Sequence, residues 1–297
     1  VSRSAAPPYK RVDFPGSQGA ALSGRLELPE GEPRAVALFA HCFTCGKDTV
    51  AASRISRALT GHGIAVLRFD FTGLGQSGGD FGSTDFSSNV GDLVAAAEHL
   101  EEVIGPPALL VGHSLGGAAV LAAAQRIPTT RAVATVGAPA DPAHVRRLLG
   151  QGVNALEGAE VAEVCLAGRT FRISRRFLDD IEAQPQAERI AHLGVPLLVM
   201  HSPTDDTVGI DNARRIFDAA RHPKSFVALD GADHLLTRPS DARFVADILA
   251  VWALRHVDAG RAPVPSARDR PRRGEFGAQG AQHLDGDPRS GRGEVPG

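Results

Sequence analysis

Cysteine is scarce in this chain, with three in 297 residues, too few for a disulfide framework of the kind that staples small secreted domains. Long apolar runs are missing as well. No segment approaches the roughly 18 apolar residues that a membrane span needs. The opening VSRSAAPPYKRVDFPG has no apolar core of a signal peptide, so the expected compartment is the cytoplasm. Charge of one sign is not in excess either: a formal net charge of −2 gives no electrostatic pull toward nucleic acid or an anionic membrane. There is no internal repeat. What remains, 43% hydrophobic and 22% charged residues, suits one sizeable globular domain with an ample core.

Within that domain, apolar runs alternate with helical patterns. Arg25–Leu28, Ala35–Ala40, Ile64–Phe69, Ala108–Gly112, Ala132–Val136, Pro196–His201 and Ser225–Leu229 read as strands, several of them continuously apolar as in a buried, mostly parallel sheet. Between them, Ala51–Thr60, Asn89–Val103, Gly116–Gln125, Asn212–Ala220 and Asp241–Arg255 carry apolar residues at three- and four-residue spacing. The alternation predicts an α/β fold with helices on both faces of the sheet.

Two stretches depart from it. From about Asp141 to His192 the pattern is mixed, with a hairpin signal in EVCLAGRTFRIS, and reads as a cap inserted over the sheet. The domain is predicted to end near Asp258. Residues 259–297 are rich in glycine, proline and scattered charge, a composition that buries too little apolar area to offset its ordering entropy, so a disordered tail is expected.

The most informative residues are GHSLGG, Gly112 to Gly117, a G-x-S-x-G pattern between the strand-like ALLVG and the helix-like AAVLAAAQ. In that context the pattern reads as a nucleophile elbow: Ser114 sits on a sharp turn, glycines admit close backbone approach, and the helix N-terminus favours developing negative charge. A serine nucleophile needs a base and an orienting carboxylate. His234, in DGADHLL, and Asp205, in HSPTDDTV, both follow predicted strands and would emerge at the same carboxyl edge as Ser114. Asp206 is the competing acid. Asp205 is preferred for its distance from the strand end and for the valine three residues on.

Together HCFTCGKD, LRFDFTGLGQSGGDF, GHSLGGAAVLAAA, HSPTDDTVGIDNARRIF and LDGADHLL resemble an α/β-hydrolase fold serine esterase. They most resemble the hydrolase half of bacterial proteins in which that domain precedes an OsmC-like peroxidase domain. The likeness covers about Pro15 to Arg255. It implies an α/β-hydrolase fold, a mostly parallel central sheet with helices on both faces and a short cap, and Ser114, Asp205 and His234 as a catalytic triad. It also aligns His41-Cys42-Phe43 with the loop that supplies one oxyanion donor, giving Phe43 and Leu115 N–H as the oxyanion hole. No peroxidase function is carried over, because a Gly/Pro-rich tail stands where the second domain would begin.

On this reading the cysteines of HCFTCGKD are incidental to acyl transfer. A zinc site needs further ligands that Cys165 alone does not supply, whereas a Cys42–Cys45 dithiol that modulates activity stays open. Asp70 is expected to hold the following Gly-rich turn, His113 to pack or hydrogen-bond under the elbow, and Arg172, Arg175 and Arg176 to form an exposed charged face. The expected chemistry is hydrolysis of short-chain carboxylic esters through an acyl-enzyme, with a small-molecule ester as partner and no metal or organic cofactor. An acyltransferase or thioesterase would use the same machinery, and a noncatalytic binding module on the same scaffold is the alternative from another class.

Overall fold

The computed structural model describes residues 9–41, 46–149, 159–166 and 169–257. The chain opens with an antiparallel pair, β1 (Tyr9–Pro15) and β2 (Ala21–Glu27), before β3 (Ala35–Ala40), α1 (Val50–Thr60) and β4 (Ile64–Phe69). Then come α2 (Phe86–Val103), β5 (Leu109–His113), α3 (Leu115–Ala123) and β6 (Ala132–Val136). The cap contains α4 (Val145–Leu149), the antiparallel pair β7 (Val161–Leu166) and β8 (Arg169–Ser174), α5 (Arg175–Glu182) and α6 (Gln186–Ala191). It is followed by β9 (Leu197–His201), α7 (Asp211–Ala219), β10 (Lys224–Ala228) and α8 (Pro239–Val257).

Eight strands form one sheet in the order β1-β2-β4-β3-β5-β6-β9-β10, with the run from β4 to β10 parallel and β1 and β2 antiparallel at one edge. Period-two alternation decides which face each residue serves. Leu38, Leu67, Phe69 and Leu110 join the core beneath α2, α3 and α7, while Ala37, Phe39, Val66 and Val111 join the core beneath α1 and α8. Both faces are covered, so these strands are apolar at most positions, as the sequence predicts; Arg68, buried in β4 and paired with Glu27, is a charged exception.

The topology also creates a crevice. From β3 the chain moves outward to β4, then crosses back through α2 to β5 on the other side of β3. The loops after β3 and β5 therefore diverge at a switch point on the carboxyl edge, where open α/β sheets place ligands.

Three sequence expectations are corrected. β1 was not anticipated, because YKRVDFP is an edge strand with only Phe14 buried and hence little apolar signal. β2 spans Ala21–Glu27 rather than Arg25–Leu28. α2 begins at Phe86, not Asn89, because Asp85 caps it: the Asp85 carboxylate accepts from Ser88 N at 2.7 Å while Ser88 Oγ pairs with Asp85 N at 3.0 Å. The predicted tail, Cys42 and Cys45 lie outside the described residues.

Candidate active site

Ser114 links β5 to α3 with φ 56° and ψ −130°, a conformation that costs a non-glycine residue on the order of 1–3 kcal/mol. The surroundings hold it there. Ser114 N donates to Val136 O at 2.9 Å and Ser114 O accepts from Gly117 N at 2.8 Å. The flanking glycines are required by crowding. A Cβ on Gly112 would come 2.5 Å from Gly117 Cα, and one on Gly116 would come 2.5 Å from the His41 carbonyl oxygen. The elbow therefore packs directly against the end of β3, and the N-terminus of α3 lies under the serine with the Leu115 N–H at its first turn.

His234 arrives on the loop after β10, and its Nε2 is 3.0 Å from Ser114 Oγ. Its Nδ1 is 2.7 Å from Asp205 Oδ2, on the loop after β9. An ionised carboxylate only accepts, so Nδ1 carries the proton and the Nε2 lone pair faces the serine hydroxyl. Asp205 is fixed in turn by Thr207 N at 2.9 Å and Val208 N at 2.8 Å, both donating to Oδ1. Burial, the strongest single influence, pushes the Asp205 carboxyl up. The His234 bond and charge and the two backbone N–H groups outweigh it and hold the group below its ordinary value. Asp206 is exposed and accepts from Thr207 Oγ1 at 3.2 Å. Of the two candidate acids, Asp205 is the one joined to His234.

Of the predicted oxyanion donors, Leu115 stands at the start of α3, whereas Phe43 lies outside the described residues. Lys47 and the end of β4 form part of a buried ionic cluster. Asp70, at the end of β4, accepts from Lys47 N and Lys47 Nζ, both at 2.6 Å, and from Gln76 N at 2.9 Å. Arg68 donates to the Lys47 carbonyl and, at 2.7 Å, to Glu27 Oε1, with neither Arg68 nor Glu27 exposed. The Gly-rich turn is thus held by Asp70 as expected, but the same carboxylate also clamps Lys47, a link the sequence does not announce.

His113 packs and hydrogen-bonds beside the elbow, as expected, whereas sequence reasoning missed His201. Both are buried at strand ends beside the site, His113 bonded to the His234 backbone and His201 to the Val208 backbone. Arg172 and Arg176 are exposed, as expected, but they pair with Asp80 and Asp85 and tie the cap to the segment that begins α2. Among the described residues no three His, Cys, Asp or Glu side chains gather as a metal site requires, and no helix is long and apolar enough to cross a membrane.

Residues 31–157 match the Hydrolase_4 family, described as serine aminopeptidase, S33. The esterase domain of a Rhodothermus marinus protein is 51% identical, with a TM-score of 0.71, covering 84% of this chain and 99% of that domain. A monoacylglycerol lipase of Mycolicibacterium smegmatis is 26% identical over 278 residues, 82% of this chain and 96% of the lipase. Est1E of Butyrivibrio proteoclasticus, solved with ferulic acid, is 18% identical with a TM-score of 0.72, covering 82% of this chain and 98% of Est1E, a likeness of fold alone.

Proposed function

Since the chain belongs to the α/β-hydrolase family, we propose that it hydrolyses carboxylic esters by acyl transfer, with Ser114 as nucleophile, His234 as general base and Asp205 as the orienting carboxylate. The observation that carries this reading is the unbroken chain from Asp205 Oδ2 through His234 to Ser114 Oγ, at 2.7 and 3.0 Å. As Ser114 Oγ attacks the ester carbonyl, His234 Nε2 takes its proton and Asp205 stabilises the imidazolium that forms. The Leu115 N–H, at the positive end of α3, receives the developing oxyanion, and the Phe43 N–H is assigned as its partner on the resemblance of the HCFTCGKD loop. His234 then returns the proton to the leaving alcohol, and water activated by the same base cleaves the acyl-enzyme.

The substrates are proposed to be short-chain esters. The cap supports this: among the described residues its helices span five, eight and six residues, and Phe177, Leu178 and Ile181 of α5 are turned into the core rather than toward a lipid surface. Kinship with the hydrolase half of OsmC-type fusion proteins is part of the same proposal and rests on the resemblance of the sequence motifs alone.

The deciding experiment is Ser114→Ala, assayed with p-nitrophenyl acetate and a fluorophosphonate probe. A folded variant should lose at least about 10³-fold in kcat and all labelling. A folded variant that retains turnover removes Ser114 from the mechanism.

A further inference from the structure

Two buried histidines stand beside the reacting chain without belonging to it. His113 ends β5 and His201 ends β9, so both lie on the carboxyl edge that carries the site. His113 Nε2 is 2.7 Å from the backbone oxygen of His234, and His201 Nε2 is 2.7 Å from the backbone oxygen of Val208. A carbonyl oxygen only accepts, so in both rings Nε2 carries the proton. Val208 also donates its N–H to Asp205 Oδ1, so the acid turn is held from two sides, by Asp205 within it and by His201 beneath it.

Neither ring is placed to share in proton transfer. His201 Nε2 is 3.7 Å from Asp205 Oδ2, too long for a hydrogen bond, and among the described residues its buried Nδ1 has no partner for a second proton. The His113 ring lies 5.2 Å from that of His234, centroid to centroid, where a second cation would oppose the imidazolium formed during acylation. The charged and titratable groups that act on His113 are His234, Asp205 and His41; those that act on His201 are Asp205, His234 and Asp211. Burial is the dominant influence on both rings and keeps them in the neutral form.

Resting on the reading of Ser114, Asp205 and His234 as the reacting residues, we propose that His113 and His201 are positioning residues, each using its Nε2–H to fix the loop that carries the base or the acid. His113 directly precedes the nucleophile, so one strand end sets both the serine and the loop bearing its base. His201 precedes the acid by four residues and anchors the far side of the turn that presents it. Ring-to-backbone bonds suit this task, because they set loop position without adding charge to a site whose chemistry depends on one proton moving between Ser114 and His234.

The test has an arm on the intact protein and an arm on variants. With 15N-labelled histidine at about pH 7.5, both rings should appear as neutral Nε2–H tautomers; an Nδ1–H tautomer or a doubly protonated ring at either position overturns the proposal. His113→Phe and His201→Phe keep ring volume and delete the donor. Each should lower kcat for p-nitrophenyl acetate at least about tenfold, leave KM within about twofold, and shift the acid-side midpoint of the kcat/KM profile. His113→Gln and His201→Gln, which offer an amide donor, should recover part of that kcat. A lower thermal midpoint with kcat and pH profile unchanged overturns the positioning role. Should a Phe variant fail to fold, the tautomer spectrum and the Gln variant decide: a folded Gln variant no better than about 1% of wild-type kcat, or a wrong tautomer, overturns it. Fluorophosphonate labelling of wild type keeps the two readings apart. Labelled wild type with fully active Phe variants overturns only the positioning role, whereas wild type that neither labels nor turns over overturns the reading on which it rests.

Discussion

The Lys47 ammonium and the Asp70 carboxylate meet at 2.6 Å with 2% of each side chain exposed. Breaking such a pair from one side strands a charge in the interior, so Lys47→Met should cost about 3–5 kcal/mol in denaturant unfolding. The effect should depend on pH. Burial pushes the Asp70 carboxyl up, but Lys47, the Gln76 N–H and His41 together hold it below its ordinary 3.8. Its contribution is therefore present above that value and lost as pH falls through the lower folded value. The stability gap between wild type and Asp70→Asn should narrow below about pH 4; a gap that is constant from pH 7 to 3 would show that the carboxylate charge does not matter.

Gly116→Ala should be far more damaging than a methyl group suggests. The new Cβ would meet the carbonyl oxygens of Ala40 and His41, which are backbone atoms of the central strand and cannot rotate away. Relief requires moving α3, and with it the elbow. Loss of at least about 2 kcal/mol in stability and nearly all esterase activity is expected, read by thermal unfolding and p-nitrophenyl acetate hydrolysis. A variant as stable and as active as wild type would mean that the helix and strand do not touch there.

His113 makes a prediction about acid sensitivity. Burial, with a smaller push from His234, brings the ring down from 6.5 to about 4 despite its bond to the His234 carbonyl and the pull of Asp205. Between those values the unfolded chain binds a proton that the folded chain does not, so stability is present above pH 6.5 and drains away as pH falls toward 4, by about 3 kcal/mol. Denaturant titrations from pH 7 to 4 should show this slope in wild type and a shallower one in His113→Phe. Parallel curves would count against a buried neutral imidazole.

Chain length tests the substrate assignment. With no long apolar cap helix among the described residues, p-nitrophenyl esters of about two to six carbons should outrun palmitate, and the rate should not jump when the substrate forms droplets. A preference for palmitate would move the assignment toward lipids, the substrates named for the Mycolicibacterium relative.

How far these features were legible depended on how local their causes are. β3, β4 and β6 match their predicted limits because a strand covered on both faces is apolar at most positions, Arg68 of β4 and Thr135 of β6 aside. The Ser114 elbow shows in sequence because its strand, turn and helix are contiguous. Asp205 and His234 show because each follows its own strand end. β1 did not show, since an edge strand with one buried residue has almost no pattern to read. The Asp70–Lys47 clamp spans 23 residues, the His113–His234 bond 121, and no spacing rule covers either. His201 lies only seven residues from Val208, yet the link uses a backbone oxygen, which leaves no trace in residue type.

The strand order has a consequence for how this protein comes to work. Ser114 and His234 are 120 residues apart in the chain, and His234 can reach the serine only once β5, β6, β9 and β10 are aligned in one sheet. Such distant pairings are slow, because the entropy of closing the intervening chain is lost before any contact repays it. Competence is thus a late event. During refolding, helical signal should return well before the protein accepts a fluorophosphonate label, and the delay between them measures the time the sheet needs to close over its last two strands.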